Sequence, residues 1–229
     1  PDKPKVQLLI DKGKYFAAVE DDVDQVQSDI AMMDAWSKDA SERMKIVIDT
    51  DVLGNIATDV DSNNKGLTAG AQTQAIDLGV TSTANALTTS NVLTEIIKHG
   101  TVLDEANVPE SDRWMLIPAR MAGLIKGSDL KDASITGDGS SPLRNGRLGI
   151  IDRFTIYVSH NIPLSATGAA GEFTLLAGHK KGLTFASQMT NMETLRSEST
   201  FGDIIRGLQV YGYKVVKGEA LTAGIVTIA

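Results

Sequence analysis

The sequence predicts an α+β fold, and three features of the 229-residue chain carry that prediction. Apolar residues recur at intervals of mostly three and four across residues 23–52, which is the period of a long amphipathic helix. A short, apolar run at residues 113–118 predicts a strand in the centre of a sheet. The end of the chain is strand and turn, with glycines as punctuation. The order of strand, long helix, second helix and then mixed sheet is typical of α+β proteins.

Composition excludes several classes of protein. A hydrophobic content of 42% and a charged content of 22% are typical of globular domains. The formal net charge of −7 argues against a dedicated nucleic-acid binder, which carries a basic face for phosphates. Because the chain has no cysteine, disulfide scaffolds, zinc ribbons and thiol catalysis are excluded. Neither a signal peptide nor a run of roughly 18 apolar residues, as a membrane span requires, is present.

Two short strands are predicted near the N-terminus. They cover residues 6–10 and 15–19, and residues 11–14 between them have the composition of a turn. Such a pair is typical of a hairpin or of the returning half of a protruding loop. The chain begins with Pro1 and not with methionine, so we expect N-terminal residues to be missing or removed.

The long helix is predicted to run unbroken through residues 23–52. Acidic residues cluster at its start, where the helix dipole favours them, and Gly54 provides a stop signal. At ~1.5 Å per residue the helix would be about 45 Å long, so we interpret it as a spine. Trp36 lies on the apolar stripe and is expected to be largely buried in the core.

The polar segment at residues 57–90 is predicted to be a functional loop or an extended interaction segment. Residues 59–64 resemble a calcium loop only superficially, because they lack the glycine and the distal glutamate at the required spacing. The remaining predicted elements are a helix at 91–106, a short helix at 121–125, a strand–turn–strand unit at 147–158 and a strand at 173–177.

No pattern typical of catalysis is present, so no enzyme activity, cofactor or metal ion is predicted. The three histidines, His99, His160 and His179, are far apart, and none belongs to an HxH or HExxH motif. No GxSxG, P-loop or dinucleotide-binding glycine motif occurs. We interpret His179 as part of a solvated strand end.

Four ordered segments resemble the coat proteins of tailed phages, which share the Hong Kong 97-type (Johnson) fold. Residues 15–27 resemble the point where an extended loop returns into the spine helix, and residues 103–118 resemble the helix, turn and buried strand of the central domain. Residues 143–163 and 208–216 supply the third and fourth segments. Together the four segments span most of the chain.

The resemblance implies an α+β phage capsid (Hong Kong 97-like) fold with a long spine helix, a central mixed α/β domain and an extended β loop. It implies four regions: the returning part of the extended loop at 1–20, the peripheral domain with the spine helix and following loop at 21–90, the central domain at 91–180, and C-terminal strands rejoining the peripheral domain at 181–229. Asp152 and Arg153 stand where the family pattern has a glycine, so we expect that turn to differ.

The function implied by the resemblance is that of a structural major capsid protein. Such a protein self-assembles into the icosahedral head shell of a tailed phage and encloses double-stranded DNA without reading its sequence. The alternative is an encapsulin-like compartment shell, and an enzyme with an undetected site is a third class. The implied setting is a virion capsid assembled in the host cytoplasm, without a membrane.

The implied partners are many copies of the chain itself in pentamers and hexamers, with scaffold, portal and decoration proteins. Arginines spread over loops and strands favour salt bridges between subunits over a single anion site. The candidate intersubunit contacts are Tyr15, Phe16, Arg144, Arg147 and Arg196.

Overall fold

The computed structural model describes residues 6–21, 32–128, 148–164, 171–198 and 201–228. The chain forms two compact units, one of Pro1–Val52 with Thr184–Lys214 and one of Leu53–Leu183 with Val215–Ala229. The limits of these two units differ from the region boundaries at residues 20, 90 and 180 that the resemblance implies. Those four regions stay a prediction.

The described elements are listed here in chain order. They are β1 (Lys12–Asp21), α1 (Met32–Ile56), β2 (Asn85–Leu87), α2 (Val92–Glu105), β3 (Arg113–Ile117), α3 (Ala119–Gly127), β4 (Ile150–Ile151), β5 (Phe154–Val158), β6 (Glu172–His179), β7 (Leu183–Arg196), β8 (Gly202–Val215) and β9 (Leu221–Ile228).

The first unit contains a three-stranded sheet with the strand order β1-β8-β7. β1 runs antiparallel to β8 along its whole length, from the pair Lys12 and Tyr211 to the pair Asp21 and Gly202. The predicted hairpin of residues 6–10 and 15–19 is therefore wrong. Residues 6–11 are not a strand, and β1 passes through most of the predicted turn, because the long β8 supplies ladder hydrogen bonds that outweigh local turn propensity.

Helix α1 is continuous from Met32 to Ile56, past the predicted stop at Gly54. Its predicted start lies outside the described residues. The buried positions include Met44, Ile48 and Val52, which are four residues apart and share one face of the helix. The predicted burial of Trp36 is wrong, since 40% of its surface is exposed. The apolar stripe of the sequence therefore contains residues that face solvent in this chain.

The second unit contains a six-stranded mixed sheet with the order β2-β9-β6-β3-β5-β4. The pairs β2–β9 and β3–β5 are parallel, and the other neighbours are antiparallel. β3 lies inside the sheet, as predicted, and α2 and α3 contribute to the core beside it. Burial of each large apolar side chain here stabilises the unit by about 1.5–3 kcal/mol. The core includes Ile96, Leu103, Met115, Ile117, Met121, Ile125, Phe154 and Val226.

The polar segment before α2 packs against its own chain. It contains two short 3-10 turns and the strand β2, which the sequence did not predict. The Asn64 side chain donates to the carbonyls of Glu219 and Leu221, at 2.7 and 2.9 Å. The Glu105 carboxylate accepts hydrogen bonds from the backbone N–H groups of Gln72 and Thr73. Side chains thus replace the regular secondary structure that this segment lacks.

Candidate functional site: exposed apolar surfaces

One face of the three-stranded sheet in the first unit carries exposed apolar side chains. Tyr15 lies opposite Leu208 and Val19 lies opposite Ile204, so these cross-strand pairs share a face. The exposed fractions are 81% for Tyr15, 47% for Val19 and 45% for Leu208. An apolar patch of this kind is typical of a surface that contacts another protein.

A groove of about 490 Å³ crosses this face. It is lined by Tyr15, Phe16, Ala17, Glu193, Arg206, Gly207 and Leu208. Phe16 pairs with Gly207, one position on from Tyr15 and Leu208, so the Phe16 ring projects to the opposite face, where a Cβ atom on residue 207 would collide with it. An ion pair between Arg206 and Glu193 borders the groove. The groove is therefore apolar along its floor and charged at one edge, which resembles the core and rim of a protein interface.

Near the C-terminal end of α1, a polar cluster joins the helix to the strands of the first unit. Asp51 accepts hydrogen bonds from Lys12 and from the Tyr211 hydroxyl, both at 2.9 Å, and its carbonyl accepts one from Tyr213 at 3.1 Å. Burial alone would raise the pKa of Asp51, but the hydrogen bonds from Lys12 and Tyr211 outweigh it and lower that pKa. Burial, with the bond to Asp51, raises the pKa of Tyr211 to about 12. The cluster therefore holds one ionised carboxylate against the sheet.

A second groove, of about 430 Å³, lies in the second unit. Its lining comprises Ala122, Lys126, Leu148, Gly149, Ile150, Thr155, Ile156 and Val158. Ile150 is 71% exposed and Val158 is 52% exposed. β4 has only two residues, so the end of β5 lies at an edge of the sheet. Sheet edges of this kind are places where another chain can pair.

The histidines do not converge on a catalytic arrangement. His99 is fully buried, with Nδ1 2.7 Å from the Thr222 hydroxyl, and burial lowers its pKa to about 3, with a smaller effect from Lys98. His179 is also buried, so its interpretation as part of a solvated strand end is wrong. One of its ring nitrogens accepts a hydrogen bond from the backbone N–H of Lys181. In the part of the chain that the structure describes, no three His, Asp or Glu side chains are placed to hold a metal ion. Nor is any described helix long and apolar enough to cross a membrane.

Comparison with known families identifies the chain. A family model for phage capsid proteins matches residues 5–227. The chain belongs to the phage capsid protein family. No significant match was found among curated proteins.

Solved structures agree with this assignment. A structure from Mycobacterium phage Che8 is 26% identical, with a TM-score of 0.72 over 95% of this chain and 72% of that chain. The capsid of the cyanophage P-SCSP1u is 16% identical, with a TM-score of 0.70 over 97% and 73% of the two chains. The holo-SrpI encapsulin complex of Synechococcus elongatus PCC 7942 is 10% identical, with a TM-score of 0.59 over 93% and 72%.

These matches confirm the predicted Hong Kong 97-like capsid fold. The encapsulin has the lowest identity and TM-score of these three structures, so it is the weaker alternative to a phage capsid. The phage capsid protein described here is a shell-forming major capsid protein. It is a structural protein of the virion capsid that associates with further copies of itself.

The candidate contact residues of this capsid protein lie in different settings. Tyr15 and Phe16 line the same groove on the first unit. Arg196 is exposed and pairs with Asp203 of its own chain at 3.2 Å. Arg144 and Arg147 lie outside the described residues. The assignment of all five to subunit contacts stays a prediction.

Sequence reasoning missed Leu208 and Arg206, which complete the groove around Tyr15. They lie far from Tyr15 in sequence, and only the register of β1 against β8 brings them together. The apolar residues of this segment, at positions 204, 205, 208, 210 and 211, do not alternate strictly with polar ones, so the sequence carried no clear local signal for this face.

Proposed function

We propose that this capsid protein builds an icosahedral phage head of pentamers and hexamers, and that the apolar face of the first unit is buried against a neighbouring copy in that shell. The concentration of exposed large apolar side chains on that unit supports the proposal. Tyr15 is 81% exposed and Phe201 is 86% exposed. Burying one such side chain in an interface contributes about 1.5–3 kcal/mol, repeated at each symmetry-related contact.

The proposed shell encloses double-stranded DNA without reading its sequence. A net charge of −7 supports this, because a wall with an overall negative charge does not attract phosphates strongly. Assembly in the host cytoplasm and contacts with scaffold, portal and decoration proteins belong to the same proposal. The contents of purified particles test it: phage DNA supports the head shell, whereas a co-purifying cargo enzyme in its place would favour a compartment shell.

Substitution of exposed residues tests the proposed interface. The variants Tyr15→Ala and Leu208→Ala are expected to reduce particle yield severalfold in sedimentation and negative-stain microscopy, while circular dichroism of the subunit stays unchanged. Ile97→Ala is the matched control, since Ile97 is 51% exposed but lies on α2 of the second unit and not on the three-stranded sheet. Normal particle yield from both groove variants would rule out this interface.

A further inference from the structure

One corner of the second unit gathers charged side chains from the end of α2, the turn before β3 and the β4–β5 hairpin. Asp104 accepts hydrogen bonds from Arg113 at 2.7 Å and from Arg153 at 2.8 Å, one on each carboxylate oxygen. Arg153 also pairs with Glu110 at 3.0 Å. The Arg113 side chain is fully buried, and its remaining hydrogen bonds reach backbone carbonyls. These contacts hold the hairpin turn against the end of α2.

The hairpin turn has an unfavourable backbone. Asp152 and Arg153 have φ values of 46° and 67°, so both lie in the left-handed region. Two-residue hairpin loops need this conformation, and Asn-Gly or Asp-Gly usually supplies it. For residues other than glycine this conformation costs roughly 1–2 kcal/mol each. Arg153 occupies the position where glycine is usual, and its guanidinium donates hydrogen bonds to Asp104 that a glycine could not form.

Among the carboxylates of this corner, Asp152 has the weakest set of hydrogen bonds and ion pairs. One oxygen lies 3.7 Å from Arg153. The other is buried without a hydrogen-bond partner among the described residues, and it packs against the α-carbon of Gly100, where a Cβ atom would not fit. The charged groups around it are Asp104 from α2, Arg113 from β3, Arg153 beside it and Glu110 beyond Arg153. With Asp152 ionised, three carboxylates face two guanidinium groups.

We propose that the Asp152–Arg153 turn is a proton-responsive latch between the β4–β5 hairpin and α2. It is tightest when Asp152 is protonated and Asp104 is still ionised. Protonation of Asp152 removes the excess negative charge, part of which lies on a buried oxygen without a hydrogen bond, while the bridge from Asp104 to the two arginines stays intact. The latch is a property of the single chain and does not depend on the proposed interface.

The pKa values of the two carboxylates are shifted in opposite directions. Burial raises the pKa of Asp152 against the opposing charge of Arg153, so ionisation above that raised pKa weakens the latch and protonation strengthens it. Burial would also raise the pKa of Asp104, but hydrogen bonds from Arg153 and Arg113 outweigh it and lower that pKa. The Asp104 contribution is present above the ordinary aspartate value of about 3.9 and is lost as pH falls through the lowered pKa. The latch therefore tightens as pH falls through the raised pKa of Asp152 and opens as pH falls further through the lowered pKa of Asp104.

Amide hydrogen exchange on the full chain tests the latch. Protection factors of residues 150–156, corrected for intrinsic exchange, are compared at about pH 7 and at about pH 3.9. The lower pH is the ordinary aspartate value, which lies below the raised pKa of Asp152 and above the lowered pKa of Asp104. We expect a severalfold rise in protection at the lower pH. Asp152→Asn is expected to give high protection at both pH values, and Asp104→Asn low protection at both.

Asp39→Asn is the control, because Asp39 is an exposed aspartate on α1 whose carboxylate pairs with Arg43. It should keep the wild-type rise in protection. If Asp152→Asn does not fold, Asp152→Ser carries the same expectation. Protection in the wild-type chain that stays flat or falls between the two pH values overturns the latch, as does a full pH response in the foldable Asp152 variant.

Discussion

Gly207 shows how a single missing side chain makes room for an aromatic ring on the sheet of the first unit. A Cβ atom at this position would collide with the Phe16 ring, so the ring can occupy its place beside β8 because residue 207 is glycine. Glycine inside a strand weakens it intrinsically, and a close packing contact is a common reason for its presence.

Gly207→Ala is therefore expected to lower the free energy of unfolding by about 1–3 kcal/mol, because the Phe16 ring must leave its position. Urea unfolding followed by circular dichroism measures the effect. Gly54→Ala is the control: it lies in α1 with nothing within 4 Å of the added atom, so the substitution should stabilise the helix by about 0.5–1 kcal/mol. Equal effects at the two positions would contradict the packing role of Gly207.

His99 gives the chain a predictable sensitivity to acid. Its pKa of about 3 in the folded chain lies below the ordinary value of about 6.5. Below the ordinary value the unfolded chain binds a proton at this residue that the folded chain does not bind. His99 therefore lowers the free energy of unfolding by up to about 1.4 kcal/mol for each unit by which the pH decreases. Urea unfolding at several pH values should show a shallower decline for His99→Gln than for the control His160→Gln. The same decline in both variants would show that His99 does not carry the effect.

At the residue scale, the sequence predicted Tyr15 and Phe16 as candidate contact residues, and the structure places both at one groove. It did not predict the buried charge of Arg113, whose partners depend on how α2 ends and how the following turn folds. An arginine at the start of an apolar run is normally interpreted as a solvated strand end, so its burial has no local signal.

At the scale of elements, Asp51 joins α1 to the sheet of the first unit through Lys12 and Tyr211. Asp51→Asn is expected to lower the free energy of unfolding by about 1–3 kcal/mol, since charge-assisted hydrogen bonds are lost. The lowered pKa of Asp51 means that this contribution is present above the ordinary aspartate value of about 3.9 and disappears as pH falls through the lowered value. Urea unfolding near neutral pH should therefore separate this variant from Asp49→Asn, an exposed control on the same helix. A difference that persists at strongly acid pH would contradict the ionic origin.

The elements themselves were predicted with uneven success, for physical reasons. The helices α2 and α3 and the strands β3 and β5 have strong local patterns, and all are present as expected. In α1 the apolar period identified the helix, but it did not show which face packs inside the chain, so Trp36 was assigned to the core. For β1, a run of turn-forming residues was overridden by pairing with β8, a strand about 190 positions later.

At the scale of the whole molecule, the order of the sheets depends on contacts between distant parts of the chain. β9 lies between β2 and β6, although it follows both in sequence. Local periodicity does not encode such pairings, so the α+β class was predictable while the strand order was not. The capsid fold was reached through the resemblance of four ordered segments, which the family match then confirmed.

A cryo-EM reconstruction of particles formed by the full-length protein tests the central claim most directly. The measured quantity is the exposed area of Tyr15 and Leu208 in the assembled shell, compared with the 81% and 45% exposure in the single chain. We expect closed icosahedral particles in which both side chains are buried against a neighbouring copy. Closed particles in which the two side chains keep their exposure to solvent would contradict the proposed interface, and a protein that forms no closed shell would contradict the account as a whole.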